Sequence, residues 1–170
     1  LISTKVGEEF DGERSHYDFS PEAVELSVAR SLERLRTDYL DIVLIHSDGS
    51  DERILAELGT LEALQALRDK GIIRAVGISH KSVEGARAAL AKGADVIMAT
   101  LNRENMEDAE VVAQAAQQGC GVLIKKALAS GQGTSADLAY IANQPGVHTI
   151  VIGTTSPAHL RANAAAIAAA

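Results

Sequence analysis

The stretch Asp38-Tyr-Leu-Asp-Ile-Val-Leu-Ile-His46-Ser-Asp48 constrains the chain most. From Leu40 to Ile45 every side chain except Asp41 is apolar. A sheet with one wet face would alternate polar with apolar residues, so this run predicts a strand covered on both sides, as in parallel α/β sheets. In such sheets the clefts that hold ligands open at the carboxyl ends of the strands. His46 stands at that end. From this stretch alone it is either a hydrogen-bonded strand-terminal histidine or a carrier of chemistry.

The same alternation of strand and helix recurs along the chain. Leu1 to Val6 reads as a strand, followed by a polar, glycine-containing loop from Gly7 to Phe19. Ser20-Pro21-Glu22 opens a helix with Ser20 as N-cap, and Val24, Val28, Leu32 and Leu35 form its apolar stripe. After the strand Leu40 to His46, one helix is expected from about Glu52 to Lys70, with Leu58, Leu61, Leu64 and Leu67 inward and Gly71 as its stop. Ile73 to Ser79 is the next strand, then a helix from about Val83 to Lys92 and a strand from about Asp95 to Leu101. A helix from about Glu107 to Gln118 precedes the strand Gly121 to Lys126. A loop through Gly131 and Gly133 then leads to a short helix near Ala136 to Asn143. Val147 to Ile152 is the last strand, and Ser156-Pro157 caps a helix that continues into the alanine-rich tail, alanine being the best helix former.

Composition narrows the function classes. A net charge of -7 argues against binding a phosphate backbone, and no basic stripe is present. No apolar run approaches the roughly 20 residues of a membrane span, and there is no signal peptide, so a cytoplasmic protein is expected. The single Cys120 lies in the apolar context Gly119-Cys-Gly-Val-Leu-Ile124 and reads as an inert core thiol. No metal-ligand pattern stands out. No linker divides residues 1–170, so a single domain is expected.

Six β-α units of this kind specify an α/β protein with a parallel sheet covered by helices. Periodicity leaves two architectures open, an open doubly wound sheet and a (β/α)8 TIM-barrel type, the latter needing about 250 residues. The commonest nucleotide fingerprints, Gly-x-Gly-x-x-Gly and Gly-Lys-Ser/Thr, are absent.

Ile2-Ser-Thr-Lys5-Val-Gly7, Arg30-Ser-Leu-Glu-Arg-Leu-Arg-Thr-Asp-Tyr-Leu-Asp-Ile-Val-Leu-Ile-His46 and Gly71-Ile-Ile-Arg-Ala-Val-Gly-Ile-Ser79 resemble three successive blocks of the aldo-keto reductase family. Leu101-Asn102, Gly121-Val-Leu-Ile-Lys-Lys-Ala-Leu-Ala-Ser-Gly131 and Ile152-Gly-Thr-Thr-Ser-Pro-Ala-His-Leu-Arg-Ala-Asn163 resemble its later segments, in the family's order. The resemblance implies strands three to eight of a (β/α)8 barrel, with the first two units missing. It implies reduction of an aldehyde or ketone to an alcohol by NADPH or NADH, with a tyrosine proton donor assisted by a lysine, a histidine and an aspartate. Lys5 matches the lysine and His46 the histidine. The family's aspartate and tyrosine lie upstream of its lysine, and Tyr17, Tyr39 and Tyr140 do not stand in the matching position.

For the cofactor, the resemblance implies that Ser79 meets the nicotinamide carboxamide, with His80 where asparagine is common. Asn102 matches the family's asparagine, whereas Leu101 and Met98 replace a tyrosine and a glutamine and read as barrel packing. Leu128, Ser130 and Gly131 match the segment over the pyrophosphate, and Gly153, Thr154, Ser156 and Asn163 match the adenosine end. His159 stands where a basic residue often holds a 2'-phosphate, which leaves NADPH and NADH both open. The expected partner is a small carbonyl compound; the oligomeric state is not readable. Two further readings remain beside the reductase: a catalytically incomplete cofactor-binding module lacking the tyrosine, and a Schiff-base lyase using Lys125 or Lys126.

Overall fold

A computed structural model describes residues 1–169. They fall into two compact units, one from Leu1 to Ile97 and one from Met98 onward.

The first unit contains strands β1 (Ser3–Val6), β2 (Glu8–Phe10) and β3 (Ser15–Tyr17), helix α1 (Pro21–Leu35) and strand β4 (Leu40–His46). Helices α2 (Asp51–Glu57) and α3 (Thr60–Asp69), strand β5 (Ile73–Ser79), helix α4 (Val83–Ala91) and the first residues of strand β6 (Val96–Thr100) follow. Within it β1 pairs with β4, β4 with β5 and β5 with β6, all parallel. The predicted strand Leu40 to His46 is present with those bounds.

Side chains alternate between the two faces of these strands. Val6, Val43, Ile45, Val76 and Ile78 belong to one buried cluster with Val24 and Val28 of α1, Ile54 of α2 and Leu61 and Leu64 of α3. That is the face covered by helices. Asp41, the polar exception in the run, is buried yet fully engaged: it accepts from the Ile2 backbone N–H at 2.9 Å and from Arg74 Nη1 at 2.9 Å. The Ile2 amide first, and then the Arg74 guanidinium, hold its carboxyl below the usual value against the opposing pull of burial. Arg74 also lies 4.1 Å above the Tyr39 ring, which gives Tyr39 a structural use.

Two local expectations change. The helix expected from Glu52 to Lys70 is two helices, because Gly59 adopts φ +69° between them. That break sets Thr60 where its hydroxyl donates to the Phe19 carbonyl at 2.6 Å. The stretch Gly7 to Phe19, expected as a loop, contains the antiparallel hairpin β2–β3, with Glu8 opposite Tyr17. Ser20 caps α1 as expected, accepting from the Ala23 N–H.

The second unit contains the end of β6, helix α5 (Ala109–Gln117), strand β7 (Gly121–Lys125), a 3-10 turn at Ala129–Gly131, helix α6 (Ser135–Ala142), strand β8 (Thr149–Ile150) and helix α7 (Pro157–Ala168). Strands β7 and β8 pair in parallel, and β8 is shorter than the expected Val147 to Ile152. Its core includes Leu101, Val111, Val112, Ala115, Val122, Ile124, Leu138 and Ile141, all buried. Cys120 is a buried thiol that donates to the Gly121 carbonyl, in keeping with its core reading. Tyr140 lies under the Arg103 guanidinium at 4.2 Å, and Arg103 also pairs with Asp137. Ala170, the end of the expected alanine-rich helix, lies outside the described residues.

Gly77 is required by close approach rather than by a turn. A Cβ there would lie 1.6 Å from the Val96 carbonyl oxygen on the neighbouring strand. Gly77→Ala is therefore expected to destabilise the chain by about 3 kcal/mol or more. Urea unfolding checks this, and an unchanged midpoint would contradict the register of β5 against β6.

Candidate functional site

Parallel pairing phases the catalytic candidates. Lys5 lies beside Leu44 and His46 beside Ser79 in the registers of β1–β4 and β4–β5. Because partners across a ladder face the same way and i, i+2 residues share a face, Lys5, Leu44, His46, Gly77 and Ser79 all lie opposite the helix-covered face. Strand rise and spacing separate the Lys5 and His46 Cα atoms by about 8 Å, within reach of both side chains for one small substrate. Lys5 is exposed, His46 partly exposed and Ser79 buried. His80, the next residue, is buried at the end of β5.

The hairpin adds a group at this end of the strands. Gly7, at φ +98°, turns the chain sharply after β1, and a Cβ there would meet the Phe19 ring at 2.4 Å. Phe19 is buried and stacks with Tyr17 at 5.9 Å between ring centroids, while the Asp18 N–H donates to the Gly7 carbonyl at 2.9 Å. The base of the hairpin is thus fastened to the core. Glu8 emerges from this turn and takes three partners: Ser15 Oγ donates to its Oε1 at 2.6 Å, the Tyr17 hydroxyl donates to the same oxygen at 3.1 Å, and His46 Nδ1 pairs with Oε2.

The Ser15 hydroxyl first, then the His46 ring, keep the Glu8 carboxyl below its ordinary value despite burial. Tyr17 moves the other way. Desolvation first, and then its hydrogen bond to Glu8, push its phenol above the ordinary value, opposite to what a phenolate-stabilising neighbour would do. Tyr17 is engaged as a support for Glu8.

The loops after β4 and β5 are tied together by Asp51. Its Oδ2 accepts from the Lys81 N–H at 2.9 Å, the Ser82 N–H at 2.8 Å and the Ser82 hydroxyl at 2.7 Å. Gly85 leaves room for it, since a Cβ there would lie 2.3 Å from Asp51 Cβ.

In the second unit, Leu128, Ser130 and Gly131 line one cavity of about 240 Å³ together with Lys126, Ala127 and Val151 to Gly153. The chain bends abruptly there, with positive φ at Lys126, Ala129, Ser130 and Gly131. Space beside Gly153 is open, and Thr154 Oγ1 accepts from the Ser156 N–H at 3.1 Å. Ser156 caps α7 by accepting from the His159 N–H, and no acidic residue occupies the first turn of that helix. Asn163 is half-buried, one turn beyond His159 on the same side of α7. Thr154, Ser156 and Asn163 do not line the cavity, although they follow it directly in the chain. Asn102 is buried; its Oδ1 accepts from the Glu104 and Asn105 N–H groups, and its Nδ2 donates to the Lys126 carbonyl at 3.2 Å. Asn102 therefore shapes the strand end from which Lys126 enters the cavity. Among the described residues no group of three His, Cys, Asp or Glu side chains could hold a metal, and no helix is long and apolar enough to cross a membrane.

The model of the aldo/keto reductase family matches residues 1–138. The chain belongs to the aldo/keto reductase family. A crystal structure from Pseudomonas aeruginosa, described as an aldo-keto reductase, is 43% identical and superposes with a TM-score of 0.93 over 99% of this chain and 67% of its own. L-galactose dehydrogenase of Arabidopsis thaliana is 41% identical over 81 residues, which are 46% of this chain and 24% of that protein. D-threo-aldose 1-dehydrogenase of a Pseudomonas species is 27% identical over 125 residues, 71% of this chain and 38% of that protein. The matched stretches thus span well under half of these two relatives. The architecture left open by periodicity is decided: the α/β units are those of a (β/α)8 aldo-keto reductase, six of them among the described residues.

Sequence reasoning missed Glu8 and its supports Ser15 and Tyr17. The signal was Asp11-Gly12 between two short polar stretches, a hairpin dipeptide without flanking apolar alternation. Asp11 closes the turn by accepting from the Glu13 and Arg14 N–H groups, each at 2.8 Å, and its Oδ2 pairs with His16. The Arg14 amide first, then that of Glu13 and the His16 ring, lower its carboxyl to about 2. A depressed folded-state value means that its contribution is complete above the unfolded value near 4 and is lost as pH falls through about 2. Amide exchange in β2–β3 is expected to quicken over that window in the parent but not in Asp11→Asn. Equal pH dependence in both would contradict this account of the turn.

Proposed function

We propose that this chain carries the lysine and histidine of an NAD(P)H-dependent oxidoreductase that reduces an aldehyde or ketone to an alcohol, reversibly. One observation carries the reading: Lys5, His46 and Ser79 share one face of three neighbouring parallel strands, at the ends where barrel enzymes assemble their sites, in a chain of this family. Two of the relatives named above are, by name, dehydrogenases of sugars, which supports a small carbonyl or hydroxyl compound as the substrate class.

The residues fit a dinucleotide. The cavity lined by Lys126, Ala127, Leu128, Ser130 and Gly131 offers a lysine and a serine hydroxyl, with open space at Gly153. The nearby start of α7 has no acidic residue in its first turn, so its dipole favours phosphate oxygens. Leu128, Ser130 and Gly131 would cover the pyrophosphate, and Gly153, Thr154, Ser156 and Asn163 would meet the adenosine end. Ser79 and His80 are assigned to the nicotinamide end, and Asn102, matched to the family's asparagine, holds the strand end that leads to Lys126. The cofactor, NADPH or NADH, supplies the hydride.

The chain's own residues handle the charge that develops on the carbonyl oxygen. Lys5 places a cation near the position of the carbonyl oxygen, favouring the negative charge that develops there. His46 offers a ring nitrogen that orients the carbonyl and stabilises negative charge on its oxygen. The Tyr17 hydroxyl is engaged with Glu8, to which it donates at 3.1 Å.

Lys5→Met and His46→Ala should each lower carbonyl reduction by about 100-fold or more while cofactor affinity changes little. Steady-state kinetics with fluorescence titration of NADPH and NADH check this. Unchanged turnover in both variants would overturn the assignment.

A further inference from the structure

We propose that Glu8 is a positioning residue for His46: its carboxylate holds the proton of Nδ1 and steadies the doubly protonated ring, whose Nε2–H is then the group that donates to the carbonyl oxygen. The inference rests on the role given to His46 above, and adds to it a residue on the hairpin that no feature of the strand ends supplies.

The geometry carries the argument. Glu8 Oε2 faces His46 Nδ1 within hydrogen-bonding distance. A carboxylate only accepts, so this contact requires the hydrogen on Nδ1. The second carboxylate oxygen, Oε1, is held by two donors, Ser15 Oγ at 2.6 Å and the Tyr17 hydroxyl at 3.1 Å. Glu8 therefore cannot rotate away without leaving both without their acceptor. The hairpin that bears Ser15 and Tyr17 is itself fixed by Gly7, by the Tyr17–Phe19 stack and by the Thr60 hydroxyl on the Phe19 carbonyl. A chain of contacts thus runs from the core between α1 and α3 to one ring nitrogen. A histidine whose one nitrogen is fixed by a carboxylate has its orientation and tautomer set, and proton exchange falls to the other nitrogen. Lys81 is the other charge bearing on Glu8, and Asp48 bears on Tyr17; neither replaces the direct contact.

Glu8→Leu is the discriminating change because it keeps the bulk of the side chain and removes the acceptor. With no carboxylate oxygen to receive a hydrogen from Nδ1, the neutral ring no longer holds its hydrogen at that nitrogen and carries it on Nε2. The measurement is the tautomer of His46 by long-range 1H–15N correlation in the 15N-histidine-labelled chain, above the histidine titration range, with the signal assigned by its loss in His46→Ala. The expected result is Nδ1–H in the parent and Nε2–H in Glu8→Leu, with turnover of the variant reduced by about tenfold or more and cofactor affinity unchanged.

A parent ring already in the Nε2–H form would overturn the proposal, whatever the variant does. So would the same tautomer in both proteins, or a swapped tautomer with unaltered turnover. A purely structural Glu8 would change stability without moving the ring proton. Failure of the catalytic reading of His46 shows separately, as full activity in His46→Ala.

Discussion

Everything at the proposed site depends on the register of three parallel strands. With Val6, Val43, Ile45, Val76 and Ile78 driven against α1, α2 and α3 by the hydrophobic effect, the intervening residues have no choice of face. A slip by one residue in β4 would bury His46 under the helices and turn Ile45 outward. The same packing that stabilises the unit therefore keeps Lys5, His46 and Ser79 together. Asp41, fastened by the Ile2 amide and Arg74, fixes where β4 begins relative to β1 and β5. Gly77 lets β5 approach β6 closely enough to continue the pattern.

Around that framework the loops at the strand ends are constrained by specific polar contacts. Asp51 binds two backbone amides and a hydroxyl of the loop after β5, so the segments following His46 and Ser79 are tied together. The hairpin after β1 is anchored by Phe19 and presents Glu8 to His46. In the other unit, the left-handed turns at Ala129 and Ser130 and the strand-end bond from Asn102 to the Lys126 carbonyl form the bend that shapes the cavity. These are the places where local conformations that cost free energy are held by their surroundings, as functional loops commonly are.

The strands were legible where physics leaves one answer. Leu40 to His46 and Ile73 to Ser79 are mostly apolar runs, interrupted by Asp41 and Arg74 near their starts, and both are present with the expected bounds. Ser20 and Ser156 announce the helices they cap, because a hydroxyl before proline has little else to do there. The break at Gly59 was hidden: Leu58, Leu61, Leu64 and Leu67 keep helical spacing straight across it, and only the tertiary bond from Thr60 to Phe19 rewards the interruption. Hairpin β2–β3 was hidden for the opposite reason. Its exposed strands carry charges and no apolar alternation, so its existence rests on Asp11 in the turn and on Phe19 beneath it. Of the proposed site, Lys5 and His46 were readable through family resemblance, whereas Glu8 was not, since a glutamate in a polar stretch carries no mark of the partner it meets in space.

The central claim is that this chain holds the lysine–histidine half of a carbonyl-reducing site together with a dinucleotide cradle. Its most direct test is titration of the purified chain with NADPH and NADH, followed by addition of a reactive aldehyde while cofactor oxidation is monitored. The account predicts saturable binding of at least one cofactor, weakened when Gly131 and Gly153 are replaced by bulky residues and retained in Lys5→Met. Absence of binding to either cofactor, with the chain folded by circular dichroism, would contradict it.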